Sequence, residues 1–196
     1  QIIYYECLYR IESEWMETQR ITSAEMLKQY LQQHLIEYTY SKKFMAKGLK
    51  KTEKEAVSTE ILRVWSDHQT ESVDSLNDRL PYIQLENIWR VISGNDLFVL
   101  VTEGVYLRVD RLIISNDEAE DILDYVETAC VENGFCSLSD VPLGDIEEEN
   151  YELSRLAILN AIYKVVLSRR YHLNGKILTK DESELDAVLL LKQHVI

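Results

Sequence analysis

The side chains best suited to chemistry in this sequence are its cations, and they fall in two short segments. Lys42, Lys43, Lys47, Lys50, Lys51 and Lys54 form the first; Lys164, Arg169, Arg170, Lys176 and Lys180 form the second, with His172 among them. From Leu112 to Ser154 the chain carries thirteen acidic residues and no Lys or Arg. The surface should therefore be polarised. The lysines from 42 to 54 read as a solvated linker in preference to a phosphate-facing strip. Catalysis needs acids, bases or nucleophiles that converge. His34, His68, His172 and His194 are scattered, and none stands with Cys or a carboxylate at ligand spacing. Cys7, Cys130 and Cys136 are odd in number and lack paired metal-ligand spacing, so they read as reduced, buried thiols. Glu147, Glu148 and Glu149 are consecutive, and consecutive helical residues diverge by about 100° each, so they cannot converge on one ion. Negative charge of that kind is favoured near a helix N-terminus. No glycine-rich phosphate loop is present. Neither enzymatic activity nor a cofactor is expected.

The elements that must hold these residues are announced by a short phrase that recurs. Thr52-Glu53-Lys54-Glu55, Ser115-Asn116-Asp117-Glu118 and Thr179-Lys180-Asp181-Glu182 each place a hydroxyl three positions before Glu, at intervals of 63 and 64 residues. That is the form of a capping box, which satisfies two free amides at a helix start. The last two copies share more, since Ile113 to Glu120 lies over Ile177 to Glu184 with four of eight positions identical. An apolar pair before each reads as a strand end feeding a helix. The chain therefore reads as stacked copies of one small unit.

A length of 196 residues can bury one sizeable core or two modest ones. Hydrophobic content of 46% with 28% charged residues is ordinary for a soluble globular protein. Six Gly and two Pro favour helices over a strand-and-turn fold. A net charge of −13 argues against a protein that coats nucleic acid indiscriminately. No run approaches a membrane span and no signal peptide is visible, so a cytoplasmic location is expected. The chain starts at Gln1 and stops inside an apolar helical pattern at Val195-Ile196, which reads as a fragment of a longer protein.

Along the chain, Tyr4, Leu8, Ile11 and Trp15 stand at helical spacing, and Thr22 with Glu25 makes a further capping box ahead of Met26, Leu27, Tyr30, Leu31, Leu35 and Tyr38. Residues 1–50 are thus expected to be an N-terminal helical pair. Tyr4, Tyr5, Tyr9, Tyr30, Tyr38 and Tyr40 at this spacing read as core and rim rather than as stacking platforms. Val57, Ile61, Val64 and Trp65 mark a helix after the first box. Ser66 to Asn77 reads as a loop or short helix. Pro81 suits the first turn of a helix carrying Ile83, Leu85, Ile88, Trp89 and Ile92 inward. Leu97 to Val101 and Val105 to Val109, around Thr102-Glu103-Gly104, predict a hairpin. The order then repeats: a helix closed at Asn133-Gly134, a short strand near Phe135 to Leu138, and a long buried helix from Leu153 to Leu167. Tyr171-His172-Leu173 and Lys176-Ile177-Leu178 follow around Asn174-Gly175, a strong hairpin signal.

Three helices closed by a hairpin resemble a winged helix. Phe135 through Leu178 carries the likeness best. Pro81-Tyr82-Ile83 through Asp96-Leu97-Phe98-Val99, with Gly104-Val105-Tyr106-Leu107, is similar to the third helix and wing of HARE-type helix-turn-helix modules, which occur in the delta subunit of bacterial RNA polymerase. The fold expected is mainly α with short β-hairpins, an α+β chain of tandem winged-helix-like units. The units would be 51–114 and 115–180, with 181–196 as the first helix of a truncated third. The resemblance implies a nucleic-acid-associated module without catalysis. It places Lys164, Arg169 and Arg170 on a third helix, and His172, Lys176 and Lys180 on its wing. Lys164, Arg169, Arg170 and Lys176 are the expected phosphate contacts to double-stranded DNA. Two readings stay open at this point. These cations meet nucleic acid, or they balance the acidic block while an acidic face at Glu147, Glu148, Glu149 and Glu152 docks a basic protein.

Overall fold

The computed structural model describes residues 1–180. Thus the helix expected at 181–196, and the end of the third capping phrase, lie outside the described residues. The chain is mainly helical with short antiparallel strands, the α+β class expected from its pattern. It divides into two compact units, Gln1–Asn95 and Asp96 onward. That division falls inside the segment expected to form a single module from 51 to 114.

The first unit opens with β1 (Ile2–Tyr4), α1 (Tyr5–Ile11), α2 (Ser13–Thr18), α3 (Ala24–His34), β2 (Tyr38–Tyr40) and β3 (Phe44–Lys47). The strands form one antiparallel sheet ordered β1-β3-β2, with Ile3 opposite Met45 and Thr39 opposite Ala46. A helical pair was expected over residues 1–50; the helices are present, but they are bracketed by a sheet. The reason is non-local. Ile2-Ile3-Tyr4 is a β-branched and aromatic run that finds its partner about forty residues away, at Phe44-Met45-Ala46, all three of which are buried. The apolar stripe also breaks, since Ile11 is 70% exposed while Met16, Ile21 and Leu27 make the local core. The true cap of α3 is Ser23, whose Oγ accepts from the Met26 N–H at 3.2 Å, one residue beyond the expected Thr22. The six tyrosines are buried or half-buried, and three of their hydroxyls brace the backbone: Tyr5 donates to the Phe44 carbonyl, Tyr9 to the Thr22 carbonyl and Tyr40 to the Leu31 carbonyl.

The unit continues with α4 (Glu53–Val64), β4 (Thr70–Ser72), α5 (Val73–Arg79) and α6 (Leu85–Ser93). The capping box at α4 is complete. Thr52 Oγ1 accepts from Glu55 N–H at 3.2 Å, and Glu55 Oε2 accepts from Thr52 N–H at 2.7 Å. The polar stretch read as a loop or short helix becomes β4 and α5, capped by Ser72. Pro81 falls in the turn after α5 and not in a helical first turn, because α6 begins only at Leu85. Buried Leu80 and Ile83 anchor that turn, whereas Leu85 and Trp89, expected inward, are 37% and 36% exposed.

The second unit opens with the expected hairpin, β5 (Phe98–Thr102) and β6 (Val105–Arg108), with Val99 opposite Leu107. It continues through α7 (Asn116–Asn133), β7 (Cys136–Ser137), α8 (Ile146–Glu149), α9 (Arg155–Ile162), β8 (His172–Asn174) and β9 (Ile177–Thr179). The last three strands form an antiparallel sheet ordered β7-β9-β8. Helix α7 has the second complete capping box, at Ser115 and Glu118, and ends where Gly134 takes φ +82°. A glycine in that left-handed conformation is the usual helix stop. Ile122 and Val126 of α7 meet Ile158 and Ile162 of α9 in one core with Leu107 and Leu178. Each such buried aliphatic side chain contributes roughly 1.5–3 kcal/mol.

The hairpin at Gly175 forms one residue later than the sequence suggests. Asn174 pairs with Ile177, so the two loop residues are Gly175 and Lys176. Only Gly175, at φ +64°, takes a positive φ, where an Asn-Gly loop would need both residues there.

Candidate nucleic-acid interface

Helix α9 is fixed before any of its cations can point anywhere. Ser154 Oγ caps it by accepting from Ala157 N–H, and Ala157, Ile158, Leu159, Ala161 and Ile162 are all buried. Five residues of π-helix, Tyr163–Leu167, follow, with the Ser168 N–H donating to the Tyr163 carbonyl at 2.7 Å. This wider turn leads into Arg169 and Arg170, and Tyr171 then starts the approach to β8.

The predicted cations part into two groups. Lys164 is held inside its own unit: its Nζ donates to Asp96 Oδ1 at 3.1 Å and to the Phe98 carbonyl at 3.2 Å. Lys180 donates to Glu127 Oε1, and Tyr171 Oη donates to the other oxygen of that carboxylate at 2.7 Å. The hydrogen bonds from Lys180 and Tyr171 hold the Glu127 carboxyl below its ordinary range. Burial and the same carboxylate push the Tyr171 phenol well up.

Arg169, Arg170, His172 and Lys176 are different. All four are exposed, and their side chains make no hydrogen bond or ion pair among the described residues. Arg169 and Arg170, expected on the helix itself, lie in the turn after the π-helical stretch, His172 opens β8, and Lys176 lies in the β8–β9 loop. Arg169 and Arg170 also line a cleft of about 490 Å³ with Asp110, Leu112, Leu123, Val165 and Val166. Guanidinium groups that make no hydrogen bond keep all five donors available to a phosphate or carboxylate, although the charge of Arg170 also helps hold the Glu127 carboxyl low. The corresponding cations near the first hairpin have partners: Arg108 is forked onto Asp110, at 2.7 Å for each bond, and Arg90 donates to Asn87.

The acidic residues are likewise divided. Glu147 pairs with Arg155 at 2.7 Å, and Arg155 also donates to the Val141 carbonyl. Glu148, Glu149 and Glu152 are exposed, as are Asp117, Glu120, Asp121, Asp124 and Glu132 on α7. Glu147, Glu148 and Glu149 occupy the first turn of α8, where the helix end favours negative charge. Among the described residues, no group of three or more His, Cys, Asp and Glu is placed to hold a metal ion. No helix among them is long and apolar enough to cross a membrane.

The lysines at 42 to 54, read as a solvated linker, are all exposed, and only Lys47 in β3 and Lys54 in α4 fall within elements. Lys42 and Lys43 occupy the turn between β2 and β3, and Lys50 and Lys51 lead into α4. The sign of this in the sequence is the lack of any Asp or Glu between Glu37 and Glu53.

No family model matches this chain, and no curated protein does. Among solved structures it is similar to the mRNA-binding domain of elongation factor SelB from E. coli in complex with SECIS RNA. The two are 14% identical, with a TM-score of 0.31, over 67% of this chain and 100% of that one. A likeness that slight fixes neither fold nor ligand.

Proposed function

We propose that this chain is a nucleic-acid-associated binding module of tandem winged-helix-like units, without catalysis of its own. In this reading Arg169, Arg170, His172 and Lys176 meet the phosphates of a duplex, while Lys164 and Lys180 brace the elements that carry them. The observation that supports it is the contrast just described: in an acidic unit, four exposed cations with no side-chain hydrogen bond or ion pair among the described residues follow one another through the turn after the π-helical stretch and the hairpin beyond it. Contacts of this kind position a protein on nucleic acid and make its affinity fall steeply with salt. Titration of a labelled DNA duplex by fluorescence anisotropy tests it. R169E/R170E should lose at least about tenfold in affinity at low salt. Wild-type protein that fails to bind duplex DNA or RNA at low salt ends this reading.

One observation favours a second reading. Helix α7 carries seven acidic residues and no basic one, and five of the seven are exposed. Such a face, with Glu148, Glu149 and Glu152, suits a basic protein partner by electrostatic complementarity. Binding of a basic protein that is weakened by charge reversal on α7, together with no nucleic-acid binding, would select it.

A further inference from the structure

Lys42, Lys43, Lys50 and Lys51 line a single cleft of about 450 Å³ in the unit Gln1–Asn95. One wall is the turn joining β2 to β3 and the other is the segment entering α4, so residues seven to nine apart are folded to face the same space. Five lysines and no acid lie between Glu37 and Glu53, a local inversion of sign in a chain of net charge −13. Lys43 has a carboxylate near it, Glu53 at 3.7 Å. Lys42, Lys50 and Lys51 are exposed and make no side-chain hydrogen bond or ion pair among the described residues. Like charges gathered around one cleft repel each other, and a bound polyanion turns that repulsion into attraction.

We propose that this cleft binds the phosphate backbone of a nucleic acid. The inference rests on the nucleic-acid reading above and adds to it a contact in the other compact unit, through residues that reading does not use. Lysine ammonium groups are compact charges on flexible stems, suited to phosphate oxygens met at varied angles and not to a fixed planar fork. The density of charge also favours nucleic acid over an acidic peptide, because a duplex presents one negative charge per about 1.7 Å of its axis. The remaining lining is Ser41, Phe44, Thr52 and the single carboxylate Glu53, which is spoken for by Lys43. Phe44 is buried in the sheet and the Thr52 hydroxyl is engaged in the cap of α4, so four lysines outnumber one acid and little is left to grip a peptide side chain. The contact is therefore one of backbone and charge, without base reading.

The test is anisotropy of a labelled DNA duplex and a labelled single-stranded RNA, each of about 20 nucleotides per strand, titrated between about 50 and 200 mM salt. K42E/K50E/K51E should lose at least about tenfold in affinity for one or both. K42Q/K50Q/K51Q should lose less, with a log–log salt slope shallower by about one for each lysine that meets a phosphate. Thermal melts confirm that each variant folds, and K47E, outside the cleft, is compared with the single reversal K50E, which changes the net charge equally. If the lysine variants bind as wild type while R169E/R170E does not, the cleft is idle and the proposed function stands. If the lysine variants fail while R169E/R170E binds normally, the cleft is upheld and the arginines lose their role. If wild type binds neither probe, both fall together. Equal lysine-dependent binding of a poly-glutamate peptide overturns the assignment to nucleic acid.

Discussion

The side-chain amide of Asn150 pairs with both backbone groups of Ile113: Oδ1 accepts from the N–H at 3.0 Å and Nδ2 donates to the carbonyl at 2.8 Å. Nδ2 also donates to the Ile146 carbonyl at 2.8 Å, and Asn150 is 1% exposed. One buried amide thereby ties the end of the four-residue helix α8 to the segment that enters α7. Nothing about an Asn between Glu149 and Tyr151 marks it in the sequence.

Asn150→Ala should therefore destabilise the unit that begins at Asp96 by about 2–4 kcal/mol, three hydrogen bonds being removed from a buried site. Asn150→Asp keeps the shape but loses both donors facing carbonyls, and should cost at least as much. Urea midpoints at unchanged m-value measure both. A wild-type midpoint for either variant would show that Asn150 does not hold α8.

Acid sensitivity in the first unit should pass through Glu71. Its carboxylate is 8% exposed, with Arg79 Nη2 at 2.5 Å and the Ser66 N–H donating at 3.1 Å. Burial pushes this carboxyl up, but the hydrogen bonds from Arg79 and Ser66 outweigh burial and hold it below its ordinary 4.5. The folded state thus binds this proton less readily than the unfolded chain does. The stabilisation is complete above the ordinary carboxylate value and is lost as the pH falls below it, through the native value. Urea midpoints measured from neutral pH downward should decline in that window for wild type. For Glu71→Gln they should start lower and decline less.

Gly134→Ala tests the stop of α7 in isolation from packing. A Cβ there would meet nothing within 4 Å, so the cost comes from φ +82° alone. About 1–2 kcal/mol is expected for Ala, and less for Asn, which tolerates the left-handed region better. Thermal melts that find Ala and Asn equal would remove the backbone explanation.

Thiol labelling should separate the three cysteines. Cys136 is 3% exposed, and burial, with Cys130 and Asp140 nearby, pushes its thiol up to about 11. Burial likewise raises Cys130, which is 8% exposed, whereas Cys7 is half-buried. The thiolate is the reactive form, so native protein should label quickly at one thiol only and at the other two on unfolding. Cys7→Ser should abolish the fast phase.

What the sequence determined alone lies within a few residues of itself. The boxes at Thr52 and Ser115, the stop at Gly134, the hairpin of β5 and β6 and the buried stripe of α9 each depend on groups within about four positions, or on one apolar period. Those interactions form in the same way whatever the rest of the chain does. Tertiary structure decided what depends on partners far along the chain. It drew Ile2–Tyr4 into a sheet with Phe44–Ala46, set the turn at Gly175 one residue later, and folded two pairs of lysines around one cleft. It also sorted the predicted cations. Lys164 found Asp96 across 68 positions and Lys180 found Glu127 across 53, while Arg169 and Arg170 were left facing solvent. A charge in a sequence has no partner until the fold supplies one, so which cations remain available to a ligand was settled only in three dimensions.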